Sequence, residues 1–160
     1  MIQRIQTVYL ALVAVFSILG LCMPIGQYYQ GSQMAAWFNS FMFMPASAAE
    51  ATQNLGPLPL AIVLIVVTLI TLMSIMLYRH RMRQLRLTIF TTILLIGYVA
   101  YYPILAWKYT MQLSAATAAD IDYHLCIAAV LPVVSIILNC LAIHGIRRDE
   151  ALVRSLDRLR

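Results

Sequence analysis

Charge is scarce in this sequence. Only 11% of its 160 residues are Asp, Glu, Lys or Arg, 62% are hydrophobic, and the mean hydropathy is +0.84. Soluble domains carry about 25% charged and about 45–50% apolar residues, so an ordinary water-soluble domain is excluded. The three cysteines, Cys22, Cys126 and Cys140, stand apart with no C-x-x-C, which leaves a quinone-coupled thiol oxidoreductase without a redox centre. A Cys22–Cys126 pair is one reading of the two near the same boundary; small buried hydrophobes is the simpler one. The chain contains no Walker motif, no G-x-G-x-x-G, no H-E-x-x-H and no G-x-S-x-G, so a nucleotide-driven pump would need a separate subunit. No carboxylate lies inside an apolar run, which removes the usual device of proton-coupled transport. No cofactor and no metal are expected.

What is present is four long apolar runs, at residues 5–25, 60–78, 87–107 and 123–146. Each is long enough to cross a hydrocarbon core of about 30 Å at 1.5 Å per helical residue. The runs are continuous rather than alternating, which favours helices over strands. The first is not read as a cleaved signal. Cys22-Met23-Pro24-Ile25 offers no small-x-small site, and Ala46-Ser47-Ala48 lies too far along.

Charge orients the runs. If they alternate in direction, all ten arginines fall on one side with Asp149, Glu150 and Asp157, a net +7; Lys108 faces Glu50, Asp120 and Asp122 on the other, a net −2. Positive loops stay in the cytoplasm. The expected fold is therefore an all-α membrane protein, a four-transmembrane-helix antiparallel bundle with both termini cytoplasmic and an amphipathic cytoplasmic C-terminal helix. Residues 26–58 and 108–122 form its outer segments, 79–86 an inner hairpin and 147–160 the tail. Tyr28, Tyr29, Trp37, Tyr101, Tyr102, Trp107 and Tyr109 mark the outer boundary and Tyr78 the inner one.

The polar residues inside the spans suit packing. Ala128, Pro132, Ser135, Asn139 and Ala142 are spaced 4, 3, 4 and 3, a seam of small or polar side chains on one helix face. In lipid such residues let helices approach and hydrogen-bond. Pro132 is expected to kink the fourth span by leaving the carbonyl of Ala128 without a donor. Thr68, Thr71, Ser74, Thr88, Thr91, Thr92 and Gly97 offer the same service on spans two and three.

Outside the spans, Trp37–Met44 is too short to cross and too apolar to float. It either lies along the outer interface or caps the bundle; the sharper alternative is a Met- and aromatic-lined surface for a lipid tail or partner helix. Arg79, Arg81, Arg83 and Arg86 are read as contacts to anionic lipid headgroups; without interleaved aromatics the cluster is not a nucleic-acid patch. Leu152, Leu156 and Leu159 make an apolar stripe on the tail, suited to the membrane surface or to docking a cytoplasmic or membrane partner. Asp120 with His124, Asp122 with Cys126, and Cys140 with His144 each have i, i+4 spacing. On a helix the first two would make a metal or proton site, although Asp at a helix start also serves as a cap. A transporter built from four spans would have to oligomerise, since one protomer has little room for a substrate.

The opening Met-Ile-Gln-Arg-Ile-Gln-Thr-Val-Tyr-Leu and the closing Gly-Ile-Arg-Arg-Asp-Glu-Ala-Leu-Val-Arg-Ser-Leu-Asp-Arg-Leu-Arg resemble a family of four-span inner-membrane proteins from Bacteroidota, catalogued as a domain of unknown function. The resemblance extends over the whole chain and implies a bacterial inner-membrane home; it brings no activity, catalytic residue or cofactor. The functional expectation is an accessory or assembly subunit of an inner-membrane complex, with a lipid- or small-molecule-binding protein or oligomeric transporter as the alternative.

With both termini on one side, Arg4 is expected to pair with Asp149 or Asp157. Arg4→Ala should then loosen the tail and speed its limited proteolysis, and unchanged cleavage kinetics would sink the pairing.

Overall fold

The computed structural model describes residues 2–45, 56–77, 81–117 and 120–157. Four helices, α1 (Ile2–Cys22), α2 (Leu58–Met76), α3 (Arg81–Thr117) and α4 (Leu131–Asp157), are joined by four short strands, β1 (Gly26–Gln30), β2 (Gln33–Phe38), β3 (Phe43–Pro45) and β4 (Asp122–Leu125). Each helix packs on two neighbours, α1 on α2, α2 on α3, α3 on α4 and α4 back on α1, which closes a ring. Contacts give the directions. Gly20 near the end of α1 faces Leu64 near the start of α2, and Gln6 near the start of α1 faces Gly145 late in α4. One end of the ring thus carries the chain termini and the short link between α2 and α3; the other carries the strands.

All four helices are long and apolar enough to cross a membrane. About a third of each such stretch is buried in the ring, and what remains outward is as apolar as the core. Ile62, Leu69 and Met73 on α2, Ile93, Ile96 and Ile104 on α3, and Val133, Ile137 and Leu141 on α4 are exposed. Monomeric soluble proteins rarely expose apolar patches beyond a few hundred Å²; here the exposed apolar residues run along the helices.

The strands correct the all-α expectation. They form one antiparallel sheet in the order β3-β2-β1-β4. β1 and β2 are joined by the two residues Gly31-Ser32, with Gly31 at φ 61°, a positive φ that hairpin loops of this length require and glycine supplies. The register skips between Tyr28 and Tyr29, leaving Ala35 as the extra residue of a bulge, which twists the hairpin. Asn39 closes the next turn: its Oδ1 accepts from the backbone N–H groups of Phe41 and Met42, both at 2.9 Å. The segment Trp37–Met44 is therefore part of the sheet that caps the bundle. It is the end of β2, a turn and the start of β3. That turn reaches into the mouth of the bundle, where Ser40 is fully buried and donates to the Gly20 carbonyl at 3.1 Å, while its own carbonyl accepts from Ala61 N–H at 3.1 Å.

At three places the helices do not end where the apolar runs do. The fourth span does not open as a helix at Tyr123: β4 and a 3-10 turn at Ile127–Ala129 precede α4. Pro132 therefore occupies the first turn of α4, where a missing N–H costs nothing, and the expected kink is absent. Gly145 likewise lies within an unbroken helix. Helix α3 continues ten residues past Trp107 to Thr117, with Pro103 inside it, so it is about 55 Å long and takes over much of the outer segment 108–122. At its other end α3 begins at Arg81, so most of the expected hairpin 79–86 is helix.

Gly26 sits where β1 meets two rings: a methyl there would overlap Tyr123 and come within 2.7 Å of Phe38. Gly97, by contrast, has open space within 4 Å of where its Cβ would be. Gly26→Ala is expected to lower stability by about 1–3 kcal/mol through overpacking, whereas Gly97→Ala, in a helix, should raise it by about 1 kcal/mol. Thermal melting in detergent reads both, and equal shifts would contradict the sheet placement.

Candidate functional site

The side chains with chemical possibilities gather at the two ends of the ring. At the sheet end, pairing sorts residues into rows across the strands. His124, Gln27, Trp37 and Met44 form one row, and Asp122, Tyr29 and Met34 a second. These rows face away from the bundle. The alternate rows, Leu125-Gly26-Phe38-Phe43 and Tyr123-Tyr28-Ala36, face it.

The inward rows bind sheet to helices through aromatic contacts. The Phe43 ring stacks on Tyr109 of α3 at 4.4 Å between centroids, and Tyr28 lies 5.2 to 6.0 Å from the rings of Tyr123, Phe43 and Phe38. The buried Tyr28 hydroxyl donates to the Ala106 carbonyl of α3 at 3.1 Å. Burial pushes its pKa up, and burial beside Tyr102 and Cys126 pushes Tyr123 up to about 12. Both phenols therefore stay protonated donors at any physiological pH. Burial also raises the Cys126 thiol, which opposes a thiolate nucleophile.

On the outward face Tyr29 donates to Gln27 Oε1 at 3.1 Å and meets the His124 ring edge-on at 5.2 Å. With Gly31 these residues line a shallow cleft of about 310 Å³. Asp122 and His124 share this face because a strand has period two, not because of helical i, i+4 spacing. In extended chain, at about 3.3 Å per residue, residues four apart lie about 13 Å from each other, so the helix-based partnerships Asp120–His124 and Asp122–Cys126 are lost. Cys140 and His144 are both exposed on α4. Among the described residues no three His, Cys, Asp or Glu side chains are grouped to hold a metal ion, and the three cysteines are free thiols.

The terminal half of the ring is polar inside. Every seam residue is buried, Ala128, Pro132, Ser135, Asn139 and Ala142, and the same spacing continues through the buried Ile146 and Asp149. Asn139 Nδ2 donates to Thr91 Oγ1 on α3 at 3.4 Å, while Asn139 Oδ1 and Ser74 Oγ have no partner among the described residues. Most hydroxyls do not bridge helices. Those of Thr68, Thr71, Thr88, Thr92 and Ser135 donate to the carbonyl four residues back in their own helix, at 2.7–2.9 Å, which satisfies the donor locally.

Near the termini, Gln6 Nε2 donates to Asp149 Oδ2 at 3.0 Å, with both side chains buried. Gly145 lets this happen: a Cβ there would come within 3.1 Å of Gln6. The small residue one turn before Asp149 is the sequence signal for this contact. Arg83 and Arg86 are exposed on the first turns of α3. Arg79, the side chains of Arg4, Arg81, Leu152 and Leu156, and Leu159 lie outside the described residues.

Fold and site together define a multi-helix protein with four helices fit to cross a membrane, capped at one end by a small antiparallel sheet. The chain belongs to the family described as a domain of unknown function (DUF4293), which it matches over residues 2–159. No curated protein matches it.

The Gln6–Asp149 contact predicts non-additive energetics. Gly145→Ala should be neutral or destabilising in the native chain, because Gln6 is crowded, yet stabilise a Gln6→Ala variant by about 1 kcal/mol through helix propensity. A double-mutant cycle on unfolding in detergent measures this; strictly additive changes would remove the clasp.

Proposed function

We propose that the chain is a non-enzymatic integral protein of the bacterial inner (cytoplasmic) membrane, with both termini cytoplasmic, and that it serves as an accessory or assembly subunit of a membrane complex. The orientation rests on the ten arginines of the terminal side and the positive-inside rule. Arg79, Arg81, Arg83 and Arg86 then face anionic headgroups. The bilayer itself is one partner, and a membrane or cytoplasmic protein reached through the C-terminal helix is another.

The observation that carries the reading is the outward row His124-Gln27-Trp37-Met44, on a sheet anchored to the bundle by Tyr28 and Phe43. Aromatic residues and Met are enriched where proteins meet, and a surface held rigid loses little entropy on binding. A second reading, a lipid- or small-molecule-binding protein or an oligomeric transporter, is favoured by a separate apolar groove beside Pro103.

Gentle extraction from the native membrane followed by native mass spectrometry tests the proposal. The expected result is a stoichiometric protein partner that is lost in Trp37→Ala or on truncation after Glu150, a cut that spares Asp149. A lone protomer or homo-oligomer retaining a metabolite would favour the second reading.

A further inference from the structure

The fourth crossing is short of helix. Between Leu131, where α4 begins, and the exposed Arg147 there is no Asp, Glu, Lys or Arg, and this stretch measures about 24 Å at 1.5 Å per residue. A hydrocarbon core is about 30 Å thick. The neighbouring α3 has no such deficit: its charge-free run from Leu87 to Trp107 is about 31 Å long.

The residues just before α4 make up the difference. The 3-10 turn Ile127–Ala129 and Val130 add about 8 Å at about 2 Å per residue. Ala128 and Ala129 are buried, while Ile127 is 78% and Val130 48% exposed. That outward pair continues the exposed apolar face of Val133, Ile137 and Leu141. A second measure reaches the same level. Leu125, the last residue of β4, lies beside the stretch of α3 from Tyr102 to Trp107, where the charge-free run of that helix ends.

Backbone hydrogen bonding changes there too. β4 is an edge strand, paired with β1 alone, and an open sheet edge does not persist in hydrocarbon. The strand stops at Leu125. Beyond it, N–H groups turn to carbonyls of the chain itself: Cys126 to Ile25, Ala129 to Cys126 and Val130 to Ile127, each at 3.0 Å.

We infer that the outer boundary of the hydrocarbon core crosses the chain at Leu125, and that the outer end of the fourth crossing is the non-helical stretch 126–130, with Ile127 and Val130 against lipid acyl chains. β4 and the rest of the sheet stand in the headgroup layer and above it. The inference rests on the membrane reading proposed above, and the occupant of this surface is lipid rather than protein.

Fluorescence quenching in vesicles tests it. The chain has two tryptophans, Trp37 and Trp107. In a Trp37→Phe, Trp107→Phe background, Ile127→Trp and Val130→Trp each place one reporter at the turn, and Ile137→Trp places one in mid-helix; two turn reporters keep the test decisive if one variant fails to fold. The full chain is reconstituted in phosphatidylethanolamine and phosphatidylglycerol with phosphatidylcholine brominated either in the upper half of the acyl chains or near their ends. The turn reporters are expected to lose emission chiefly to the upper bromines and little to aqueous acrylamide, and Ile137→Trp chiefly to bromines near the chain ends. Turn reporters quenched by acrylamide instead would lie in water, and turn reporters quenched by neither agent would be covered by protein; either result would overturn the inference. If Ile137→Trp also escapes the brominated lipids, the membrane reading beneath it falls.

Discussion

The hydrogen bond from the Tyr28 hydroxyl to the Ala106 carbonyl joins the two parts of this molecule. Tyr28 lies in a central strand of the sheet and is fully buried, and Ala106 lies in the longest helix. A buried phenol without a partner costs about 1–3 kcal/mol, so the bond fixes how β1 stands over α3. The strand's register follows from it. A slip of one residue would turn Tyr28 outward and bring Tyr29 inward, breaking both this bond and the stack of rings with Phe38, Phe43 and Tyr123. Burial keeps the phenol protonated, so the donor is constant with pH.

The opposite end depends on a second buried contact of a different kind. Gln6 and Asp149 are 143 positions apart in the chain and 3.0 Å apart in space. The two stretches that carry the family resemblance are therefore parts of one structural element, in which α1 meets α4 and Gly145 supplies the clearance. Between the two ends the ring interior grades from aromatic and aliphatic near the sheet to hydroxyl- and amide-bearing near the termini. Local hydrogen bonds within each helix make this polar half tolerable in an apolar setting, since most hydroxyls already have a carbonyl partner.

The helices were legible because hydrophobic length is a one-dimensional property, and the 4, 3, 4, 3 spacing of the fourth span named a face that is buried from Ala128 to Ala142. The sheet was not legible by the same means. GQYYQ and QMAAWF are short and rich in aromatics, and near an apolar run such composition reads as an interfacial belt. The two-residue Gly-Ser break between them was the hairpin signal. Asp120, Asp122 and His124 were misassigned for a related reason. Side-chain spacing has meaning only once the backbone period is known, and here it is two rather than 3.6. Proline was ambiguous as well. Pro132 falls in a first turn and Pro103 in a helix interior, and the residue type alone does not distinguish the two.

By itself the sequence determined four apolar helices, the end at which positive charge collects when they alternate and the buried face of the last helix, because each follows from local composition or period. Only the tertiary structure decided the sheet, the unbroken course of α4, the Gln6–Asp149 clasp and the groove beside Pro103. Each of these depends on residues far apart in the chain meeting at a distance where a methyl group or a single hydroxyl matters, and no local pattern records such a meeting.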